Sequence, residues 1–168
     1  MMRWYVDTFV ALHAVLPWGD LRAQRWLDAC AARHEQPYAS SLLQLELTRA
    51  LRRVRLELEL AAPLLRRVNL LRIDDGELHF AASIEPHVRS LDAIHLAACF
   101  LLGPDIRLAT HDAGMLEVAA GLGIDAVDPL AWRRGTSGSP PQPPGARGGG
   151  GVAPMRRAMR SESSSACS

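Results

Sequence analysis

Along this chain, short apolar runs alternate with longer segments whose apolar positions recur at helical spacing. Arg3–Val6 is an aromatic, apolar run closed by Asp7 and reads as a short buried strand. Residues 8–16 carry helical spacing and stop at Pro17. Asp20 opens a second helix with Leu21, Trp26, Leu27 and Cys30 as packing positions. Residues 37–40 form a strand candidate, and Ser40 or Ser41 a helix cap. From 42 to 56 the apolar positions 43, 47, 50, 51 and 54 make a helical stripe with Glu46 at its edge. A helix over 58–69, a strand over 70–73 and a weaker helix over 77–84 come next. Residues 105–110 read as a strand behind the Gly103-Pro104 turn, 112–122 as a helix, and 124–127 as a last strand.

One segment stands apart. Residues 90–102 are apolar on nearly every side, which predicts a buried helix. Only Asp92 and His95 interrupt it strongly, one turn apart on neighbouring parts of one face. A buried carboxylate needs a partner, a hydrogen bond or a metal. The plain alternative has Ser90 capping the helix and Asp92 complementing its dipole.

Strands alternating with helices predict an α/β domain around a parallel sheet, spanning residues 1–132. From 133 the composition turns to Gly, Pro, Ser and Arg, as in Pro140-Pro141-Gln142-Pro143-Pro144, and 133–168 reads as a disordered tail. Residues 1–132 hold 13 arginines against 17 acids, leaving −4, while the tail holds six arginines against one acid, leaving +5. The folded part therefore lacks the general basic surface usual in nucleic-acid binding. The tail's positive excess suits attraction to RNA, and a functionless extension explains it equally well. Three cysteines without metal-ligand spacing argue against a disulfide framework and for a reducing, cytoplasmic setting. No apolar run approaches the ~20 residues of a membrane span.

Parallel α/β sheets bind ligands beyond the carboxyl ends of their strands. Asp7 follows the first strand and Asp112 the fourth, so both are expected at that edge, within reach of Asp92 and of Glu46 near the first turn of its helix. Converging carboxylates repel each other unless a cation compensates. Hard oxygen ligands suit Mg²⁺ or Mn²⁺, which activates water and stabilises displacement at phosphorus. Singly, each residue has a structural explanation. Asp7 and Asp112 suit helix caps, and Glu46 suits pairing with Arg49 or Arg53. Thr8 and Thr110 are placed to hydrogen-bond a ligand carboxylate or to serve as ordinary β-edge hydroxyls. His95 reads as structural, and His13, His79, His87 and His111 as surface or filler.

Jointly, Val6-Asp7-Thr8, Leu45-Glu46-Leu47 with Ala50-Leu51, Arg89-Ser90-Leu91-Asp92-Ala93-Ile94-His95-Leu96-Ala97 and Ala109-Thr110-His111-Asp112 resemble the signature segments of PIN-domain ribonucleases. The match is closest to the VapC-type toxins of toxin–antitoxin pairs and covers Arg3 to about Pro129. It implies a three-layer α/β/α sandwich and metal-dependent cleavage of RNA. Asp7, Glu46, Asp92 and Asp112 become the catalytic, Mg²⁺- or Mn²⁺-binding acids, with Thr8 and Thr110 supporting them. It further implies a homodimer restrained by a small antitoxin protein, whose arginine would suit the acidic pocket. Phe9 departs from the pattern, standing where relatives commonly carry a small polar residue, and the tail lies outside it.

Other phosphoryl-transfer designs fit less well. Receiver and haloacid-dehalogenase enzymes use a lysine, and this chain has none. No glycine-rich loop follows a strand where a helix begins. The remaining alternatives are a catalytically silent PIN-fold interaction module, a stand-alone RNA-processing nuclease, and a DNA-cleaving flap-nuclease relative, whose extra helical arch does not fit in this length.

Overall fold

A computed structural model describes residues 1–131. Five strands form one sheet: β1 (Arg3–Val6), β2 (Gln36–Ser40), β3 (Asn69–Leu71), β4 (Ile106–Ala109) and β5 (Ala126–Val127). Their order is β3-β2-β1-β4-β5 and every pairing is parallel. The crossovers carry α1 (Thr8–Val15), α2 (Leu21–Ala32), α3 (Ser41–Arg53), α4 (Ala62–Leu65), α5 (Asp75–Ala82), α6 (Ser90–Leu101) and α7 (Ala113–Gly121).

The central strand shows why the fold has three layers. Successive side chains of a strand point to opposite faces, and both faces of β1 are apolar. Trp4 and Val6 join one core with Val10, Ala11, Trp26, Leu27, Leu43, Leu47 and Leu51, which are side chains of α1, α2 and α3. Tyr5 joins the other with Leu96, Cys99, Leu108, Met115 and Val118, from α6, β4 and α7. Burying both faces requires helices on both, which is the expected α/β/α sandwich. The indole of Trp4 meets Trp26 edge to face at 5.3 Å, lies under the Arg107 guanidinium and donates from Nε1 to Glu35 at 2.8 Å. On the other side Phe80 stacks on Phe100 at 4.5 Å and fastens α5 to α6. Cys30 and Cys99 are both buried.

Several elements differ from their sequence reading. The helix expected over 58–69 is a 3₁₀ turn (Leu58–Ala61) followed by the single turn α4, and Asn69 already belongs to β3. Pro63 explains the break, because it supplies no N–H and is tolerated only in a helix's first turn, where it sits. Helix α5 starts two residues earlier than expected, since Asp74 and Glu77 close a capping box, each accepting from the other's backbone N–H. Ser40 stands at the N-cap of α3 without a side-chain cap bond. Ser90 is the first residue of α6 rather than its cap, a position held by Arg89. Residues from 132 onward, including the tail expected over 133–168, lie outside the described residues.

Candidate active site

The sheet order places the site. Because β1 lies between β2 and β4, the residues after all three meet at one edge. The register pairs Val6 with Ala109, which sets Asp7 beside Thr110. Asp7 extends the ladder by one bond, donating its N–H to the Ala109 carbonyl at 3.0 Å. Its side chain makes no helix-cap bond although it stands at the N-cap of α1. The Asp7 carboxylate is instead buried and accepts from Thr110 Oγ1 at 2.9 Å. Burial pushes this carboxyl above its usual range, and the charges of Asp92 and Glu46 push the same way. His95 and the Thr110 hydrogen bond offset only part of that.

Thr110 also accepts from the Asp112 backbone N–H at 3.1 Å, so one buried hydroxyl joins two acids. Asp112 Oδ1 caps α7 through the Met115 N–H at 2.9 Å, and its Oδ2 faces Arg89. Capping and a place at the site are therefore compatible in this residue. Replacing Thr110 with valine keeps the shape and removes both bonds. We expect a loss of about 1–2 kcal/mol in urea unfolding, with weakened divalent-ion affinity of roughly ten- to a hundredfold. Unchanged ion affinity in calorimetry would refute the supporting role.

Glu46 reaches the edge from the second turn of α3, not the first, since the helix begins at Ser41. The pairing with Arg49 or Arg53 considered from spacing does not form. Its Oε2 instead accepts from Thr8 Oγ1 at 2.5 Å and lies 2.9 Å from His95 Nε2. Burial raises the Glu46 carboxyl, but the hydrogen bonds from His95 and Thr8 outweigh it and bring it below the usual range.

His95 is a residue whose reach the sequence reading understated. It is buried in α6 and does seat that helix, yet it does so by linking the core to the site. The Ser40 N–H donates to Tyr5 Oη at 3.2 Å, and that oxygen lies 3.0 Å from His95 Nδ1. The Tyr5 hydroxyl stays protonated, burial pushing its pKa far up, and shares one hydrogen bond with Nδ1. The other ring nitrogen, Nε2, faces Glu46, with Thr8 Oγ1 at 3.2 Å and Asp7 Oδ1 at 3.9 Å. A histidine three residues from Asp92 on one helical face was the available signal. Tyr5 itself carried none, because its partner lies 90 residues away.

Arg89, in the sequence only the first residue of the segment around Asp92, is also part of the site. Its exposed guanidinium donates from Nε to Asp92 Oδ2 at 2.6 Å and from Nη2 to Asp112 Oδ2 at 3.1 Å. Its charge also reaches Asp7 and Glu46. The i,i+3 spacing to Asp92 was legible in the sequence, whereas the bridge to Asp112 depends on α6 lying beside β4. The four acids thus share one edge, with an arginine holding two of them and a histidine beside the other two. Among the described residues, no three Asp, Glu, His or Cys side chains stand close enough to form a ready-made metal cage.

This buried acid at the end of the central strand, on a β3-β2-β1-β4-β5 parallel sheet, defines a class. Residues 4–121 match the family model described as the PIN domain, and the chain belongs to that family. A curated relative, Ribonuclease VapC46 of Mycobacterium tuberculosis, is 42% identical over 64 residues. Those residues are 37% of this chain and 49% of the relative, so the match spans about half of its length. Among solved structures, a toxin-antitoxin complex from Klebsiella pneumoniae aligns with a TM-score of 0.58 at 20% identity, covering 74% of this chain and 96% of the other. VapBC2 from Rickettsia felis, bound to a promoter DNA fragment, aligns with a TM-score of 0.60 at 11% identity, covering 76% and 98%. At such identities these structures establish the fold. No helix among the described residues is long and apolar enough to cross a membrane.

Proposed function

We propose that this chain is a divalent-metal-dependent endoribonuclease, the toxin of a toxin–antitoxin pair. The observation that carries the reading is the buried Asp7 carboxylate, pushed up by burial and by neighbouring acids, at the carboxyl edge of the central strand. A site that gathers four carboxylates against one arginine among the described residues is suited to a cation. The donors are all carboxylate oxygens, which fits Mg²⁺ or Mn²⁺. Asp7, Glu46, Asp92 and Asp112 would hold the ion, and when bound it supplies an activated water and charge stabilisation at phosphorus.

The chain's own residues prepare that arrangement. Thr110 fixes the rotamer of Asp7 and ties it to Asp112. Thr8 and His95 aim Glu46, and Tyr5 fixes the His95 ring. Arg89 neutralises Asp92 and Asp112 in the metal-free protein. Its exposed guanidinium has the planar geometry that matches a phosphate, so beside the acids it would also suit an RNA phosphate. The relatives' names support the reading: one is a ribonuclease, and one aligned structure is a toxin–antitoxin complex. A small antitoxin protein, a homodimeric assembly and a cytoplasmic site of action belong to the same proposal.

Purified protein freed of any partner is expected to cleave an RNA pool in Mg²⁺ or Mn²⁺ and to stop in excess chelator. Cleavage undiminished by chelator would sink the metal requirement. No cleavage with any divalent ion, together with a stable protein complex, would favour the interaction-module alternative.

A further inference from the structure

Three aromatic rings stand against one another beside the carboxylates. Phe9, two residues after Asp7 in the first turn of α1, packs on His13 one turn further along at 5.1 Å between centroids. It also packs on His111, the residue before Asp112, at 5.9 Å, and the two imidazoles lie 6.0 Å apart, edge to face. The sequence reading assigned both histidines to surface or filler. Each is held at one nitrogen. His13 Nδ1 accepts from the Asp20 N–H at 3.1 Å, and His111 Nδ1 lies 2.8 Å from Asp128 Oδ2. These contacts fix the rings and brace Phe9, which nevertheless remains 45% exposed while Asp7 is 3% exposed.

From this we infer that Phe9, braced by His13 and His111, is a stacking platform for a nucleobase of single-stranded RNA. The inference rests on the nuclease reading and adds to it the contact that holds the substrate. Charge supplies the physical argument. The folded part carries 13 arginines against 17 acids, so contacts to phosphate cannot provide general affinity. Near an acid cluster a polyanion is repelled until cations intervene. Beyond Arg89 at the acids, affinity beside the cleaved bond then draws on the uncharged part of the nucleotide. Aromatic rings provide it, because every base has a π face. Phe9 stands two residues after Asp7 and packs on His111, the residue before Asp112, so a base lying on it is close in the chain's own geometry to both acid segments. The two imidazoles meet each other edge to face and hold the Phe9 ring from two sides, and the exposed part of that ring is an aromatic surface that suits a planar base.

The test uses a short single-stranded RNA carrying 2-aminopurine, whose fluorescence falls on stacking, with wild type, Phe9→Leu and Phe9→Trp in Mg²⁺. Phe9→Leu keeps apolar bulk without the ring, and an exposed side chain should leave thermal unfolding unchanged. We expect quenching with wild type and Phe9→Trp and its loss in Phe9→Leu. In the leucine variant KM should rise roughly ten- to a hundredfold with kcat little changed. Wild-type KM and quenching in Phe9→Leu, with cleavage intact, would overturn the platform and leave the nuclease reading standing. Ring-dependent quenching without any cleavage would support the platform and overturn the nuclease reading. Neither cleavage nor quenching with wild type would overturn both. A change in Phe9→Leu confined to self-association or protein binding would show that the rings serve a protein contact, against the inference.

Discussion

Asp7→Asn is expected to lower RNA cleavage by roughly three orders of magnitude or more, which corresponds to about 4 kcal/mol of transition-state stabilisation. The same substitution is expected to raise the thermal midpoint of the metal-free protein by about 2–5 °C. Loss of activity with gain of stability separates a functional charge from a structural one. The sign follows from proton linkage. The folded state holds the Asp7 proton more tightly than the unfolded chain does, because burial and the Asp92 and Glu46 charges oppose ionisation. Stability from that proton is complete below the unfolded carboxyl's pKa and is lost as pH rises through the raised folded value. At neutral pH an ionised Asp7 therefore weakens the empty fold, and asparagine removes the burden while still accepting from Thr110. Added Mn²⁺ should stabilise wild type and leave the variant almost unaffected. If the variant cleaves RNA like wild type, Asp7 is not part of the site. If activity falls because the midpoint drops several degrees, the loss reports folding.

His95→Ala is expected to act in the opposite direction on stability. His95 is buried, is hydrogen-bonded to the Tyr5 hydroxyl through Nδ1 and faces Glu46 with Nε2. Alanine leaves a cavity at the heart of α6 and strips a partner from two polar groups. Cavity and unsatisfied groups together cost about 2–5 kcal/mol, so the midpoint should fall by roughly 6–15 °C. Tyr5→Phe removes one bond of the same chain and should cost only about 1 kcal/mol. Urea unfolding of both variants measures these values directly. A His95→Ala midpoint within a degree of wild type would show that the Tyr5–His95–Glu46 chain carries no stability. Glu46 would lose its strongest orienting contact, so divalent-ion affinity should weaken in this variant even well below its melting range.

Much of this was legible in the linear pattern, for a definite reason. Period and punctuation are local properties, so the apolar run ending at Asp7, the stripe through Leu43, Leu47 and Leu51 and the apolar segment around Asp92 each announce an element within a few residues. Where local chemistry was subtler, the boundaries moved. The capping box of Asp74 and Glu77 drew α5 forward, and Pro63 divided a stripe that hydrophobicity alone read as one helix.

The sequence by itself determined the kinds of elements, the apolar faces they must bury, and the placing of Asp7 directly after the first strand and Asp112 shortly after the fourth. Only the tertiary structure decided which strands are neighbours. The order β3-β2-β1-β4-β5 and the Val6–Ala109 register bring Asp7 against Thr110, and the packing of α6 brings His95 to Tyr5 and Glu46 and lets Arg89 span Asp92 and Asp112. These partners are 23 to 103 residues apart, except for Arg89 and Asp92. Hydrophobic periodicity states that a face must be covered, but not by what. The choice is made when both faces of β1 are buried at once, and the polar groups left at its end must then find each other.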